Sequence, residues 1–276
     1  MMRIEDKTII TSLKGHSKHV IVIRYYIKDN KEEYILSSDV NKLVIIWDIH
    51  DFFNKKYAIQ TKYSNYIYDA LLLFNISNCD YILLSNYAEN EYSKLYEFKD
   101  NTPFVRNIHG TNQHNTYYMI PWLHKNKYYI IECGNSIISI NNLFEDETYS
   151  NLKMDPEGSH YCAYLYKDNF LCVSDYSNCF IRIWDLLNKV IYKQINYESS
   201  ISTCSYEIIP WNDNYAIFGC DSGWIVIINI EEGKIVKKMQ LKGSGEIRGI
   251  KKIKLRQSGE CLICSDSESN IKLLSI

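Results

Sequence analysis

A β-rich unit recurs along this chain about every 45 residues, and that period restricts the folds open to it more than any other feature. Two copies carry it openly, Ser37 to Ile49 (SSDVNKLVIIWDI) and Ser174 to Leu186 (SDYSNCFIRIWDL). Each follows an apolar strand with a polar turn, then a second strand ending in Trp-Asp, at Trp47-Asp48 and Trp184-Asp185. Degenerate copies lie at Ser93 to Phe98, Ile137 to Leu143, Trp224 to Ile230 and Ile271 to Ile276. The positions equivalent to Trp47 are then Tyr96, Asn141, Trp184, Ile228 and Leu274, at successive gaps of 49, 45, 43, 44 and 46 residues. One four-stranded propeller blade takes about 40–45 residues. Six such units predict an all-β propeller of six four-stranded blades, a single domain over residues 1–276.

The ends of the chain fit that count. Lys7 to Gly15 (KTIITSLKG) parallels Lys234 to Gly243 (KIVKKMQLKG), the strand leading into the last repeat, and the chain stops after a third strand at Ile276. The N-terminal strand is therefore expected to complete the last blade, which would remove exposed sheet edges. A seven-bladed or partial propeller is the alternative, and a seventh blade would need roughly 40 further residues. A second repeat supports the register: Pro121-Trp122 and Pro210-Trp211 stand 89 residues apart, about two units. Because proline cannot donate to a sheet ladder, each is expected to mark the end of a strand.

Gly15-His16 followed by Trp47-Asp48 resembles the repeat signature of the WD40 family. The resemblance implies a buried, hydrogen-bonded structural set formed by His16, Ser37 or Ser38, Asp39 and Trp47. Asp175 and Trp184 match part of it in the fourth unit, where Gly158-Ser159-His160 replaces a clean Gly-His. The other four units lack the Trp, so the family pattern holds there mainly by spacing. Asp39, Asp175, Asp221 and Asp266 recur at the matching turn in four of the six units, as turn-forming residues do.

Charge and composition remove several classes of function. With 31 basic and 33 acidic residues spread along the chain, no global field attracts nucleic acid or an anionic membrane. No apolar run approaches the length of a membrane span or signal peptide, which reads as a soluble, cytoplasmic protein. The nine cysteines sit mainly in apolar runs and fit a reducing compartment. Cys261 and Cys264 form a close pair, but three residues apart on a strand their sulfurs point to opposite faces. A phosphate cradle, a Gly-x-Ser-x-Gly elbow and a His-Glu-x-x-His pair are all missing from the sequence. Neither a cofactor, a metal nor a small-molecule substrate is expected, and an enzyme is the least supported reading.

What remains is a binding protein. In a propeller the loops entering the first strand of each blade gather on one rim, so Lys18, His19, Tyr66, Tyr117, His160, Tyr161 and Arg248 are the candidate partner-binding residues. Tyr and Arg among them are types that anchor interfaces. Phe52 and Phe53, adjacent in a connecting loop, are a candidate side-face contact. The stretch from Lys234 to Arg256, including Lys251, is strongly basic; it reads first as solvated strand edges and second as a site for an acidic tail or RNA. The expected function is a non-catalytic scaffold or adaptor that joins proteins in a multiprotein complex. An architectural subunit of a cytoskeletal or ribonucleoprotein assembly is the alternative.

Overall fold

A computed structural model describes residues 12–29, 31–51, 54–85, 91–108, 115–153, 158–160, 162–175, 180–196, 207–255 and 259–275. The chain divides into two compact units, one ending at Thr116 and the other starting at Tyr117. Blade 1, in the first unit, contains β1 (Val20–Lys28), β2 (Glu32–Asp39), β3 (Leu43–Asp48) and β4 (Asn54–Gln60). Blade 2 follows with β5 (Ala70–Ile76), β6 (Cys79–Leu84), β7 (Ser93–Glu97) and β8 (Phe104–Ile108).

The second unit holds the rest. Blade 3 is β9 (Thr116–His124), β10 (Lys127–Gly134), β11 (Ile137–Asn142) and β12 (Thr148–Lys153). Blade 4 is β13 (Ala163–Tyr166), β14 (Phe170–Asp175), β15 (Phe180–Asp185) and β16 (Val190–Asn196). In blade 5, β17 (Ile208–Asn212), β18 (Tyr215–Gly219), β19 (Trp224–Asn229) and β20 (Lys234–Gln240) are joined partly by a short 3-10 turn at Asp221–Gly223. Blade 6 shows three strands among the described residues, β21 (Ile247–Leu255), β22 (Gly259–Asp266) and β23 (Ile271–Ser275).

These six antiparallel meanders are the blades of an all-β propeller, as the repeat spacing predicts. Lys7 to Thr11, within the strand expected to complete blade 6, lie outside the described residues.

The register explains why the period is so regular. In each of blades 1 to 5 the pairing of the third and fourth strands shifts by one residue immediately before the position equivalent to Trp47. The shifts fall at Ile46/Trp47, Leu95/Tyr96, Ile140/Asn141, Ile183/Trp184 and Ile227/Ile228. A bulge at that point bends the outer strand and adds twist. The spacing read from the sequence is thus the spacing of a repeated backbone irregularity.

Blades pack through alternating apolar positions. In the first unit Val22, Leu36, Val44 and Ile46 of blade 1 meet Ala70, Leu72, Ile82 and Leu84 of blade 2. In the second unit Cys172, Ile181 and Ile183 of blade 4 meet Ala216, Phe218 and Val226 of blade 5, and Ile217 and Ile225 of blade 5 meet Ile250 and Leu262 of blade 6. Each fully buried aliphatic side chain contributes about 1.5–3 kcal/mol relative to leaving it in water.

The proline expectation is corrected. Pro121 and Pro210 lie inside β9 and β17 rather than at strand ends, and both are exposed. Both strands stand at the edge of their sheets, where a missing N–H leaves no ladder bond unmade.

Candidate functional site

The densest polar arrangement in the first unit is built on β2 and β3. Two ends of one imidazole are engaged: His16 Nδ1 lies 2.8 Å from Asp39 Oδ2, and His16 Nε2 lies 2.7 Å from Ser37 Oγ. Trp47 Nε1–H donates to the same Ser37 oxygen at 2.8 Å. The assignment that satisfies every partner has Nδ1–H donating to Asp39 and the Ser37 hydroxyl donating to Nε2. Asp39 also works on the turn behind it, since its Oδ1 accepts the backbone N–H of Asn41 at 2.9 Å and of Leu43 at 3.1 Å. Ser37, not Ser38, is the member of the set.

Serine, histidine and aspartate in this order resemble a hydrolytic triad, so the surroundings must decide. Ser37 sits on a central strand, is 5% exposed, and its oxygen already accepts the indole N–H. A nucleophile needs a free approach to a substrate carbonyl. Here the hydroxyl is locked between two rings, so the arrangement ties the entry segment at His16 to β2 and β3.

In the fourth blade the same positions are only half filled. Trp184 stands opposite Leu171, as Trp47 stands opposite Ile35, and two residues beyond those partners lie Val173 and Ser37 respectively. Valine cannot accept, and Trp184 Nε1 has no hydrogen-bond partner among the described residues. Asp175 is fully buried, with Arg182 Nη1 3.7 Å from its Oδ2. Gly158 approaches that carboxylate so closely that an ideal Cβ there would lie 2.3 Å from Asp175 Oδ1.

Asp266 repeats the turn chemistry of Asp39, accepting the backbone N–H of Glu268 at 3.0 Å and of Asn270 at 2.9 Å. Desolvation pushes its carboxyl up, but the bonds from the Asn270 side chain and backbone and from the Glu268 backbone outweigh it and hold it at about 2.

The rim candidates separate on exposure. Lys18 and His19 are exposed on the segment entering β1, and Tyr66 is 42% exposed before β5, its ring 6.4 Å from that of Tyr68. β1 and β5 are neighbours, clamped by Arg24 Nε and Nη2 on the two oxygens of Asp69 at 2.8 and 2.7 Å. Lys42 Nζ, on the β2–β3 turn, donates to the Ser64 carbonyl at 3.1 Å and orders the same side.

Two candidates in the second unit are corrected: Tyr117 is buried and His160 is 0% exposed, so neither is offered to a partner. Their side chains point into the sheets rather than out of the loops. Burial lowers the His160 pKa, and the Ser174 carbonyl 3.1 Å from its Nδ1 only partly offsets this. Arg248 is exposed and held by Glu246 at 3.2 Å. Tyr161, Phe52 and Phe53 lie outside the described residues.

The basic stretch is largely paired. Lys234 meets Glu232 at 2.5 Å, Lys252 meets Glu260 at 2.8 Å, and Lys251 pairs with Glu207. Among the described residues no group of three or more His, Cys, Asp or Glu side chains could hold a metal ion. Cys261 and Cys264 are both buried free thiols, and burial pushes Cys264 up to about 11. No helix among the described residues is long and apolar enough to cross a membrane. Sequence reasoning did not single out Ile23, Tyr25 and Ile27, exposed at alternate positions of β1; their period of two was the available signal.

No family model matches the chain, and no curated protein matches it. Solved structures do, in 1336 chains, a breadth that points to a common architecture rather than to a particular activity. One is the crystal structure of the computationally designed Ika8 protein, 11% identical, with a TM-score of 0.66 over 98% of this chain and 75% of that one. A likeness at this identity shows the fold alone.

Proposed function

We propose that this chain is a WD40-repeat propeller acting as a non-catalytic scaffold that holds protein partners within a multiprotein complex. The observation that carries the reading is the linked set His16, Ser37, Asp39 and Trp47 in blade 1, with bonds of 2.7 to 2.8 Å. These residues fill the positions at which the family resemblance implies a structural hydrogen-bonded set. Their burial and mutual bonding favour holding the blade together over doing chemistry on a substrate. The reading needs no cofactor, and it places the protein in the cytoplasm.

On this reading the exposed Lys18, His19 and Tyr66 are the contact residues of the first unit. Tyrosine buries a large area at low rotamer cost, and lysine and histidine supply polar edge contacts. The test is affinity purification from the native cell under mild salt, with cross-linking and mass spectrometry. Defined partners cross-linked at Lys18, and lost from a folded Lys18→Glu/Tyr66→Ala variant, are expected. A protein that runs as a partner-free monomer, or partners retained in full by the variant, would overturn the proposal.

A further inference from the structure

We infer that the outer strands of blades 4 and 5, β16 and β20, flank a docking groove for an extended acidic segment of a partner protein. Both strands are the last in their sheets and therefore edge strands. Behind them the two blades are sealed by Ile181, Ile183 and Ile195 against Val226 and Ile228. In front, a groove of about 460 Å³ opens between Gln194–Asn196 and Gly233–Lys238, with buried Ile195 and half-buried Ile235 in its lining.

The charge on the two strands themselves is one-sided. β16 reads VIYKQIN and β20 reads KIVKKMQ, so the two strands carry Lys193, Lys234, Lys237 and Lys238 and no carboxylate. At the turn end of the groove Glu232 pairs with Lys234, and Glu231, bonded to Lys167, also attracts Lys193. Lys237 is exposed, but it pairs in register with Ile227, which packs toward blade 6, so its side chain leaves β20 on the opposite face. Lys238 pairs in register with Val226 and so shares the face turned toward blade 4.

Lys193 is set in place by the turn between β19 and β20. Gly233 there has φ +67°, and an ideal Cβ on it would lie 2.5 Å from Lys193 Cδ. Only a residue without a side chain leaves room for the lysine stem to cross, and it brings the ammonium to 4.9 Å from the Tyr192 ring centroid.

An extended peptide fits this chemistry. It can add to an open strand edge through its backbone, set carboxylates against the lysines, and lay apolar side chains on the exposed Tyr192 and Val236. RNA fits it less well. Neither strand has an arginine, and the single aromatic on them, Tyr192, is already engaged by Phe170 at 5.1 Å and by Lys193. The groove lies on the second unit and the Lys18–Tyr66 surface on the first, so either proposal can fail while the other stands.

The experiment is fluorescence anisotropy with a short labelled peptide of alternating glutamate and valine, titrated with the full chain. Binding is expected to weaken roughly tenfold or more in Lys193→Glu/Lys238→Glu, in the same direction in Lys193→Gln/Lys238→Gln, and not in a Lys31→Glu control on the first unit. Bound peptide is expected to slow amide exchange in residues 190–196 and 234–240. Equal binding by wild type and both double variants would overturn the inference. So would a polyuridine oligonucleotide that binds more tightly than the peptide and is lost in the same variants.

Discussion

Replacing Ser37 by alanine tests whether the linked set in blade 1 stabilises the fold. The change deletes one oxygen that receives the Trp47 indole N–H at 2.8 Å and faces His16 Nε2 at 2.7 Å. Trp47 is 3% exposed, so its donor is left without a partner at the full penalty of about 1–3 kcal/mol. The His16 side chain is only 8% exposed, so its Nε2 also loses a donor with little water to replace it. The expected loss is therefore about 2–3 kcal/mol, roughly a 30- to 150-fold rise in the opening equilibrium.

Native-state hydrogen exchange is the assay, because it reads that rise locally in β2 and β3 and by comparison in the second unit. The reciprocal change is Val173→Thr, which offers Trp184 Nε1 the acceptor it lacks. A threonine for a buried valine ordinarily costs stability because its hydroxyl is stranded. Here that hydroxyl has a donor waiting, and a change within about 0.5 kcal/mol of wild type, or a gain, is expected. Ser37→Ala exchanging at wild-type rates in β2 and β3, or Val173→Thr losing more than about 2 kcal/mol, would refute the argument.

Two further predictions concern the second unit. Gly158→Ala places a methyl group 2.3 Å from Asp175 Oδ1 and should destabilise by about 1–3 kcal/mol through overpacking; an unchanged urea midpoint would count against the close approach. His160 resists protonation in the fold, chiefly because it is buried, whereas in the unfolded chain it takes a proton near a pKa of about 6.5. The unfolded state then binds more protons below that pH, so stability is kept above about 6.5 and falls on acidification. Urea midpoints at about pH 7.5 and about pH 5.5 should differ less in His160→Gln than in wild type. Equal differences would show that His160 is not a source of the acid sensitivity.

The sequence made the repeat legible because two kinds of position are forced in every blade. One is the third-strand residue equivalent to Trp47, which in blades 1 to 5 follows the register shift. The other lies on the second strand, two residues beyond the cross-strand partner of the first. Less was legible about individual side chains. His160 and Tyr117 sit in segments that read as entry loops, yet their side chains turn inward, a choice made by packing against neighbouring strands rather than by local composition. The groove between β16 and β20 was visible only as part of a basic stretch, because its two walls come from separate repeats.

The same pair of positions explains how four units can lose the tryptophan and keep the blade. Through the six blades the pair is Trp47 with Ser37, Tyr96 with Leu84, Asn141 with Glu132, Trp184 with Val173, Ile228 with Phe218 and Leu274 with Cys264. In blade 3 the polar character is kept by different chemistry, Asn141 Nδ2–H donating to Glu132 Oε2 at 2.8 Å. In blade 5 both members are fully buried and apolar, and Cys264 in blade 6 behaves as a small hydrophobe. A buried polar group without a partner is costly, whereas a matched polar pair or a matched apolar pair is not. Agreement between the two positions avoids that cost in blades 1, 3, 5 and 6, and a search for Trp-Asp alone detects the two blades that retain the tryptophan and passes over those that changed both partners together. Blade 4 breaks the agreement by keeping Trp184 against Val173, and for that reason Val173→Thr is expected to behave unlike other threonine substitutions in this core.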